Sequence, residues 1–109
     1  MKLMTKELEA RFKTVGKQDN NESDTLVVAK FFCPWNNWTW YATEYDPDSR
    51  VCFGLVSGFE VELGYFSLDE LEEVTGPGGL TIERDRYWSE KPLKEVRLDA
   101  ENRRQCGAI

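Results

Sequence analysis

One stretch of sequence, FFCPWNNWTWYATEYD at residues 31–46, decides the fold. The residues before Pro34 are β-branched and aromatic, and they predict a strand over residues 26–33. Asn36 and Asn37 follow, and asparagine tolerates the left-handed backbone angles that turns need. A second strand is predicted over residues 38–45. The stretch therefore predicts two antiparallel strands joined by a short turn.

Two further strands extend this pattern toward the C-terminus. Asp46-Pro47-Asp48-Ser49 predicts a β-turn, and residues 51–57 predict the third strand. Residues 59–65 alternate between apolar and polar, which predicts a fourth strand with one buried face and one wet face. The predicted buried face holds Phe59, Val61, Leu63 and Tyr65. Short turns between successive strands favour an antiparallel β-meander sheet of about four strands.

Short helices are predicted on either side of the sheet in sequence. Residues 6–14 predict the first helix, with Thr5 as its N-cap. Ser67 and Glu70 form a capping-box pattern that begins a second helix. A last short helix is predicted over residues 93–96, and residues 16–24 predict a flexible loop. The expected fold class is α+β, with the helices packed against one face of the sheet, a single domain over residues 1–98 and a polar, mobile tail over residues 99–109.

Composition narrows the possible functions. The chain has 109 residues, a formal net charge of −6 and no histidine. The acidic balance argues against general binding to duplex DNA, and the lack of histidine excludes His-based triads and Cys/His zinc sites. No apolar run approaches the roughly 20 residues of a membrane helix, and no signal peptide is visible. We expect a cytoplasmic protein with no membrane partner, no metal and no cofactor.

The aromatic residues suggest two alternatives. Trp38 and Trp40 share one strand face and are expected in the core, beneath the Val51, Phe53 and Leu55 face of the next strand. Tyr41 and Tyr45 fall on the opposite face, and Trp35 lies in the turn, so these three rings are the candidates for exposure. Exposed rings could stack on bases of single-stranded nucleic acid. Few cations lie nearby in sequence, which disfavours this interpretation.

Carboxylates on the fourth strand form a second candidate site. Glu60 and Glu62 are expected to project from its wet face. Their spacing on one strand face suits, in principle, a glycosidase pair or a hard-metal site. Charged residues more commonly line a solvated strand face. Such an acidic face could also imitate a row of phosphates and occupy a basic DNA-binding channel.

The segment that follows the Gly76-Pro77-Gly78-Gly79 loop holds a third candidate. Alternation places Arg84 and Arg86 on one side of a predicted edge segment, where ion pairs would discourage sheet-to-sheet association. Trp88, close behind, is typical of an interface anchor. Because the chain has no histidine and the neighbours of Cys33 in sequence are apolar, Cys33 is expected as a buried core thiol rather than a nucleophile.

Three phrases of this sequence together resemble a known family. They are FFxPWxNWTWYxTE at residues 31–44, FGLVxGFExELGYFSLxEL at residues 53–71 and GPxGLxIERD at residues 76–85. They resemble the bacterial Domain of Unknown Function 2958 family, and the likeness runs from about residue 3 to residue 96. The resemblance implies a small cytoplasmic protein of plasmids, integrative elements or phages. It supplies no assigned reaction and no catalytic residue.

The leading hypothesis from the sequence is a non-enzymatic protein-binding module of a mobile element. Its more specific form is an inhibitor of a host DNA-targeting defence nuclease, with the acidic strand face and the Trp88 region as contact surface. The alternative is a single-stranded nucleic-acid binding module that uses Trp35, Tyr41 and Tyr45. A third option is a carboxylate-dependent enzyme, which predicts a pocket that gathers Glu44, Glu60 and Glu62.

Overall fold

The computed structural model describes residues 2–18, 21 and 23–107, with no account of the side chains of residues 104–107. The predicted loop at 16–24 and tail at 99–109 each include positions outside the described residues. The helices and strands, in chain order, are α1 (Lys6–Val15), β1 (Leu26–Val27), β2 (Ala29–Phe32), β3 (Thr39–Asp46), β4 (Val51–Ser57), β5 (Val61–Ser67), α2 (Leu68–Glu73), β6 (Glu83–Arg84), β7 (Lys91–Pro92) and α3 (Leu93–Gly107).

The predicted antiparallel meander forms the centre of the molecule. Strands β2 to β5 pair in sequence order, and β6 pairs with the outer side of β2. The main sheet therefore has five strands in the order β5-β4-β3-β2-β6. A second, two-stranded sheet pairs β1 with β7. The α+β class and the antiparallel sheet are thus confirmed. The fifth strand, β6, falls within residues 80–85, which the sequence suggested as an edge strand or an extended segment, and it has only two residues.

The helices cover both faces of the sheet, whereas one face was expected. On the first face, α1 and α2 pack over a core that includes Phe31, Trp40, Phe66 and Leu71. On the opposite face, α3 buries Leu93, Val96 and Ala100 against Tyr41, Leu55 and Val27. Helix caps form as predicted: Thr5 Oγ1 accepts the Leu8 N–H at 3.1 Å, and Ser67 Oγ accepts the Glu70 N–H at 3.3 Å.

A β-bulge in β3 changes which aromatic side chains share a face. The register shifts between Ala42 and Glu44, so Thr43 is the extra residue. Before the bulge, Tyr41 lies opposite Leu55; after it, Tyr45 lies opposite Cys52. Residues 52 and 55 point to opposite faces, because strand side chains alternate. The prediction that Tyr41 and Tyr45 share a face is therefore wrong.

The same register shows that the tryptophans do not pack beneath the Val51, Phe53 and Leu55 face of β4, as was expected. Trp40 is buried as predicted, but it lies opposite Val56, on the other side of the sheet from Leu55. Trp38 precedes β3 and is half-buried. The centroid of its ring lies 6.0 Å from that of the Trp40 ring, in a tilted arrangement, and 5.2 Å from that of the Phe59 ring, which it meets edge to face. Cys33 is buried in the first-face core, as expected.

The last helix is longer than the sequence analysis predicted. It runs from Leu93 to Gly107, and Ala100 on its inward side is buried. The prediction that this helix ends at residue 96 is therefore wrong, because polar residues on its outer surface obscure the apolar periodicity of its inward side. Among the described residues, no helix is both long and apolar enough to cross a bilayer.

Candidate functional site

Strand β5 forms one edge of the main sheet and exposes apolar side chains. Leu63 is 36% exposed and Tyr65 is 78% exposed, while Phe59 in the turn before β5 is 84% exposed. The alternation of this strand was predicted correctly, but the burial of its apolar side was not. Helix α3 packs near Leu55 and Val61 and leaves the far end of this face uncovered.

The uncovered side chains form a contiguous aromatic surface. Phe53 on β4 lies opposite Tyr65 on β5, and their rings meet edge to face with centroids 4.8 Å apart. Edge-to-face contact is a favoured arrangement for aromatic pairs and holds both rings in place. With Leu63 on the same side of β5, these residues form what we call the β4–β5 face: Phe53, Leu63 and Tyr65.

A groove runs from this face to helix α1. Its volume is 980 Å³. Phe53 and Tyr65 form one wall, and α1 with the following turn forms the other. Charged side chains of both signs are among its lining residues, namely Lys6, Lys13, Lys17, Glu9, Glu44 and Asp46. A surface that combines aromatic and charged side chains is typical of protein interfaces.

The hydrogen-bond pattern decides which residues of β5 face the open edge. The Leu68 N–H donates to the Arg50 carbonyl at 2.9 Å, and at the other end of the ladder the Gly58 N–H donates to the Glu60 carbonyl at 3.0 Å. Hydrogen-bonded and non-hydrogen-bonded pairs alternate in an antiparallel ladder. The backbone N–H and C=O groups of the even-numbered residues of β5 therefore form the hydrogen bonds to β4. The odd-numbered residues direct their backbone N–H and C=O groups to the open edge: Val61, Leu63 and Tyr65.

An acidic segment adjoins this edge. Residues 59–74 contain six carboxylates and no lysine or arginine: Glu60, Glu62, Asp69, Glu70, Glu72 and Glu73. None of the ion pairs between described residues involves Glu60 or Glu62, and both side chains are exposed. The edge of β5 therefore carries negative charge on one side and apolar side chains on the other.

Arg50 neutralises part of the acidic segment and fixes α2. Its Nη1 and Nη2 donate to the two carboxylate oxygens of Glu72 at 2.9 and 3.1 Å, and Nη1 also contacts Asp69. The hydrogen bond from Arg50 holds the pKa of Glu72 below its ordinary value. Glu72 also accepts the Leu3 N–H at 2.9 Å, which ties the N-terminal segment to α2. These contacts are structural and leave Glu60 and Glu62 open.

The three rings proposed for base stacking do not form a platform. Tyr41 is only 4% exposed and lies beneath α3, and burial raises the pKa of its hydroxyl. Tyr45 is half-buried against Phe12, with ring centroids 5.8 Å apart. Trp35 is half-buried and lies against the backbone of Gly76, where an added Cβ would be 2.5 Å from the ring. The expected exposure of Tyr41 is wrong.

The predicted carboxylate pocket is also absent from the described part of the chain. Glu44 lines the groove beside α1, whereas neither Glu60 nor Glu62 is among its lining residues. Glu62 lies opposite Val56, on the side of the sheet away from Phe53. Within the described residues, no three potential metal-ligating side chains come together.

Trp88 makes contacts within the protein. Its Nε1–H donates to the Val27 carbonyl at 3.0 Å, and its half-buried ring lies 5.8 Å from that of Tyr41. The ammonium groups of Lys91 and Lys30 lie 5.1 and 5.9 Å from the ring centroid. Trp88 thereby joins the two-stranded sheet to the main sheet.

The two arginines before Trp88 differ in burial. Arg84, half-buried on the short edge strand β6, donates from Nη1 to the Leu3 carbonyl at 3.2 Å. Arg86 is exposed. At this edge an ion pair joins Lys30 and Asp85, whose charged atoms are 3.8 Å apart.

Sequence reasoning missed Phe53 and Tyr65 as candidate contact residues. The available signal was the position of β5 as the last strand of the meander, since a terminal strand is an edge unless another strand covers it. The fold and this surface define the class: a small α+β protein with an acidic edge strand and an exposed aromatic face.

Comparison with known proteins identifies the family. The chain belongs to the family described as "Protein of unknown function (DUF2958)", whose model matches residues 3–107. This confirms the resemblance drawn from the sequence and extends it to the end of α3. Comparisons with curated proteins and with solved structures give no match.

Proposed function

We propose that this protein is a small, acidic, non-enzymatic protein-binding module that acts in the bacterial cytoplasm. The observation that carries the proposal is the exposed ring of Tyr65, which packs on the half-buried ring of Phe53 beside the acidic segment. Aromatic side chains are enriched at protein interfaces and bring large contact area at low conformational cost. The acidic segment favours a partner with a basic surface, because complementary charge steers association and suppresses wrong partners.

The finer proposal concerns the identity of that partner. Proteins that bind nucleic acid present clustered lysine and arginine, and an acidic surface competes with phosphates for them. A plasmid or phage that encodes such a protein would be protected if the protein blocked a host nuclease that targets DNA. We therefore propose a nucleic-acid-binding defence nuclease as the partner and inhibition as the effect. The acidic segment and the family resemblance support this form of the proposal.

The test is affinity capture from a nuclease-treated bacterial lysate with matched surface variants. Tyr65→Ser removes half of the aromatic pair. Tyr87→Ser removes a tyrosine that is 93% exposed and lies outside the β4–β5 face. We expect a stoichiometric partner that is lost with Tyr65→Ser and retained with Tyr87→Ser. Equal capture by both variants would overturn the proposed surface.

The finer proposal has its own test in the same assay. A nucleic-acid-binding partner should be displaced when duplex DNA is added at increasing concentration. Its binding should also weaken as salt is raised, because the attraction between opposite charges is screened. A captured partner that is indifferent to both would argue against nuclease inhibition and leave the protein-binding function in place.

A further inference from the structure

We propose that the open edge of β5 binds an extended segment of the partner whose alternate side chains are apolar and basic. This inference rests on the proposed function and names the binding mode and the chemistry of the ligand. Addition of a strand to a sheet edge is a recurring mode of peptide recognition, in which backbone hydrogen bonds supply affinity and alternate side chains supply specificity.

The backbone of β5 provides the first half of the argument. Val61, Leu63 and Tyr65 direct their N–H and C=O groups away from β4, as the register requires. β5 has seven residues, whereas the opposite edge strand, β6, has only two. β6 also carries Glu83 and Arg84, and charged, very short edges resist strand addition. The open edge suited to pairing is therefore β5.

The side chains of β5 provide the second half. Residues of an added strand lie beside those of β5, with their side chains on the same alternating faces. On one face they would meet Leu63 and Tyr65, which favours apolar residues. On the other face they would meet Glu62, with Glu60 in the adjacent turn, and both carboxylates are exposed. Lysine or arginine in those alternate positions would form ion pairs with these carboxylates.

Charge also disfavours a second copy of this chain as the occupant. Each copy carries six carboxylates and no basic residue in the acidic segment, and its net charge is −6. Pairing two β5 edges would bring two such segments together. Like charges on neighbouring strands are destabilising. A basic segment from a different protein meets no such cost.

The experiment uses synthetic peptides and the full chain. The probe is a ten-residue peptide that alternates valine and lysine, and its control alternates valine and glutamate. Binding is measured by isothermal titration calorimetry at low and high salt. We expect the lysine peptide to bind at least about tenfold more tightly than the glutamate peptide, with the difference shrinking at high salt. Equal affinity for the two peptides would overturn the inference.

A pair of variants tests the backbone contacts. Leu63→Pro removes an N–H that faces the open edge without removing a hydrogen bond to β4. Leu63→Thr keeps the N–H and changes the same side chain. We expect Leu63→Pro to weaken the lysine peptide about tenfold or more, and Leu63→Thr by less than about threefold. Circular dichroism and thermal unfolding check that both variants fold.

A second probe covers the case in which Leu63→Pro does not fold. The lysine peptide is N-methylated at every second residue, in one frame or in the other. Strand addition predicts that one frame abolishes binding and the other leaves it intact, because only alternate residues bond to β5. Similar binding by both frames would refute the edge mode.

The remaining outcomes separate this inference from the proposed function. Failure of both peptides to bind, together with partner capture that depends on Tyr65, would overturn strand addition and leave the protein-binding function standing. A dimer by light scattering that Leu63→Pro dissociates would overturn the basic partner in favour of a second copy. Loss of partner capture with Leu63→Pro, and not with Leu63→Thr, would support the inference in the natural complex.

Discussion

Replacing Gly54 with alanine should strongly destabilise the protein. Gly54 lies in the middle of β4, where it faces Ala42 on β3 and Gly64 on β5. A Cβ at this position would lie 1.8 Å from the Tyr41 carbonyl oxygen and 3.0 Å from the Ala42 Cα. Both are backbone atoms, so no side-chain rotation can relieve the contact. The β3–β4 ladder itself would have to move, beside the bulge at Thr43.

The magnitude follows from two opposing terms. Adding atoms to a well-packed interior typically costs about 1–3 kcal/mol, and a clash with backbone belongs at the upper end. Alanine also restricts the unfolded chain more than glycine does, which stabilises the folded state by about 0.4–1 kcal/mol. The net expectation is a free energy of unfolding lower by about 2–3 kcal/mol. For a domain of this size that corresponds to a Tm lower by roughly 8–12 °C.

Gly64→Ala is the matched control. Gly64 lies directly opposite Gly54 in the same ladder, but an added Cβ there has no atom within 4 Å. The same chemical change should therefore be neutral or stabilising by up to about 1 kcal/mol. Urea denaturation followed by tryptophan fluorescence measures both variants.

The comparison between the two variants can refute the reasoning. If Gly54→Ala is as stable as Gly64→Ala, the close approach of β4 to the Tyr41 backbone is incorrect, and with it the register around the bulge. If both variants lose stability equally, the effect comes from glycine removal in strands and does not report the contact.

Three further predictions concern individual contacts. Because Arg50 lowers the pKa of Glu72, this pair stabilises the fold above the ordinary carboxyl pKa, and the stabilisation is lost as pH falls through the lowered pKa. Arg50→Asn should therefore flatten the acid limb of a stability-versus-pH profile, and an unchanged limb would contradict the pairing. Trp88→Phe removes the hydrogen bond to the Val27 carbonyl and should cost about 1–2 kcal/mol in urea denaturation; a neutral substitution would show that the bond contributes nothing. Burial raises the pKa of the Cys52 thiol to about 12, so iodoacetamide should modify it, by peptide mapping, only after unfolding; rapid labelling of the native protein would disprove its burial.

Local patterns were sufficient for several of the elements and for much of the core. Turn chemistry and β-branched or aromatic runs predicted β2 to β5, and capping residues predicted the starts of α1 and α2. Trp40 and Cys33 are buried, as their apolar surroundings indicated. These features depend on neighbours in sequence, which is why one sequence can reveal them. The three quoted phrases also identified the family.

The arrangement of faces required tertiary structure. The bulge at Thr43 moves Tyr45 to the side of Trp40, where it is half-buried against Phe12, and α3 buries Tyr41. A one-residue insertion inverts every later side chain of a strand and leaves no mark in composition.

The candidate site shows the same division. The sequence by itself determined that residues 59–65 form an alternating strand with an acidic side. It could not determine that the apolar side stays exposed, because burial depends on where distant α3 packs and which strand ends the sheet. Only the tertiary structure shows that α3 leaves Leu63 and Tyr65 uncovered and that β5 is an open edge. The alternation is local, whereas exposure is decided by contacts between residues far apart in the chain.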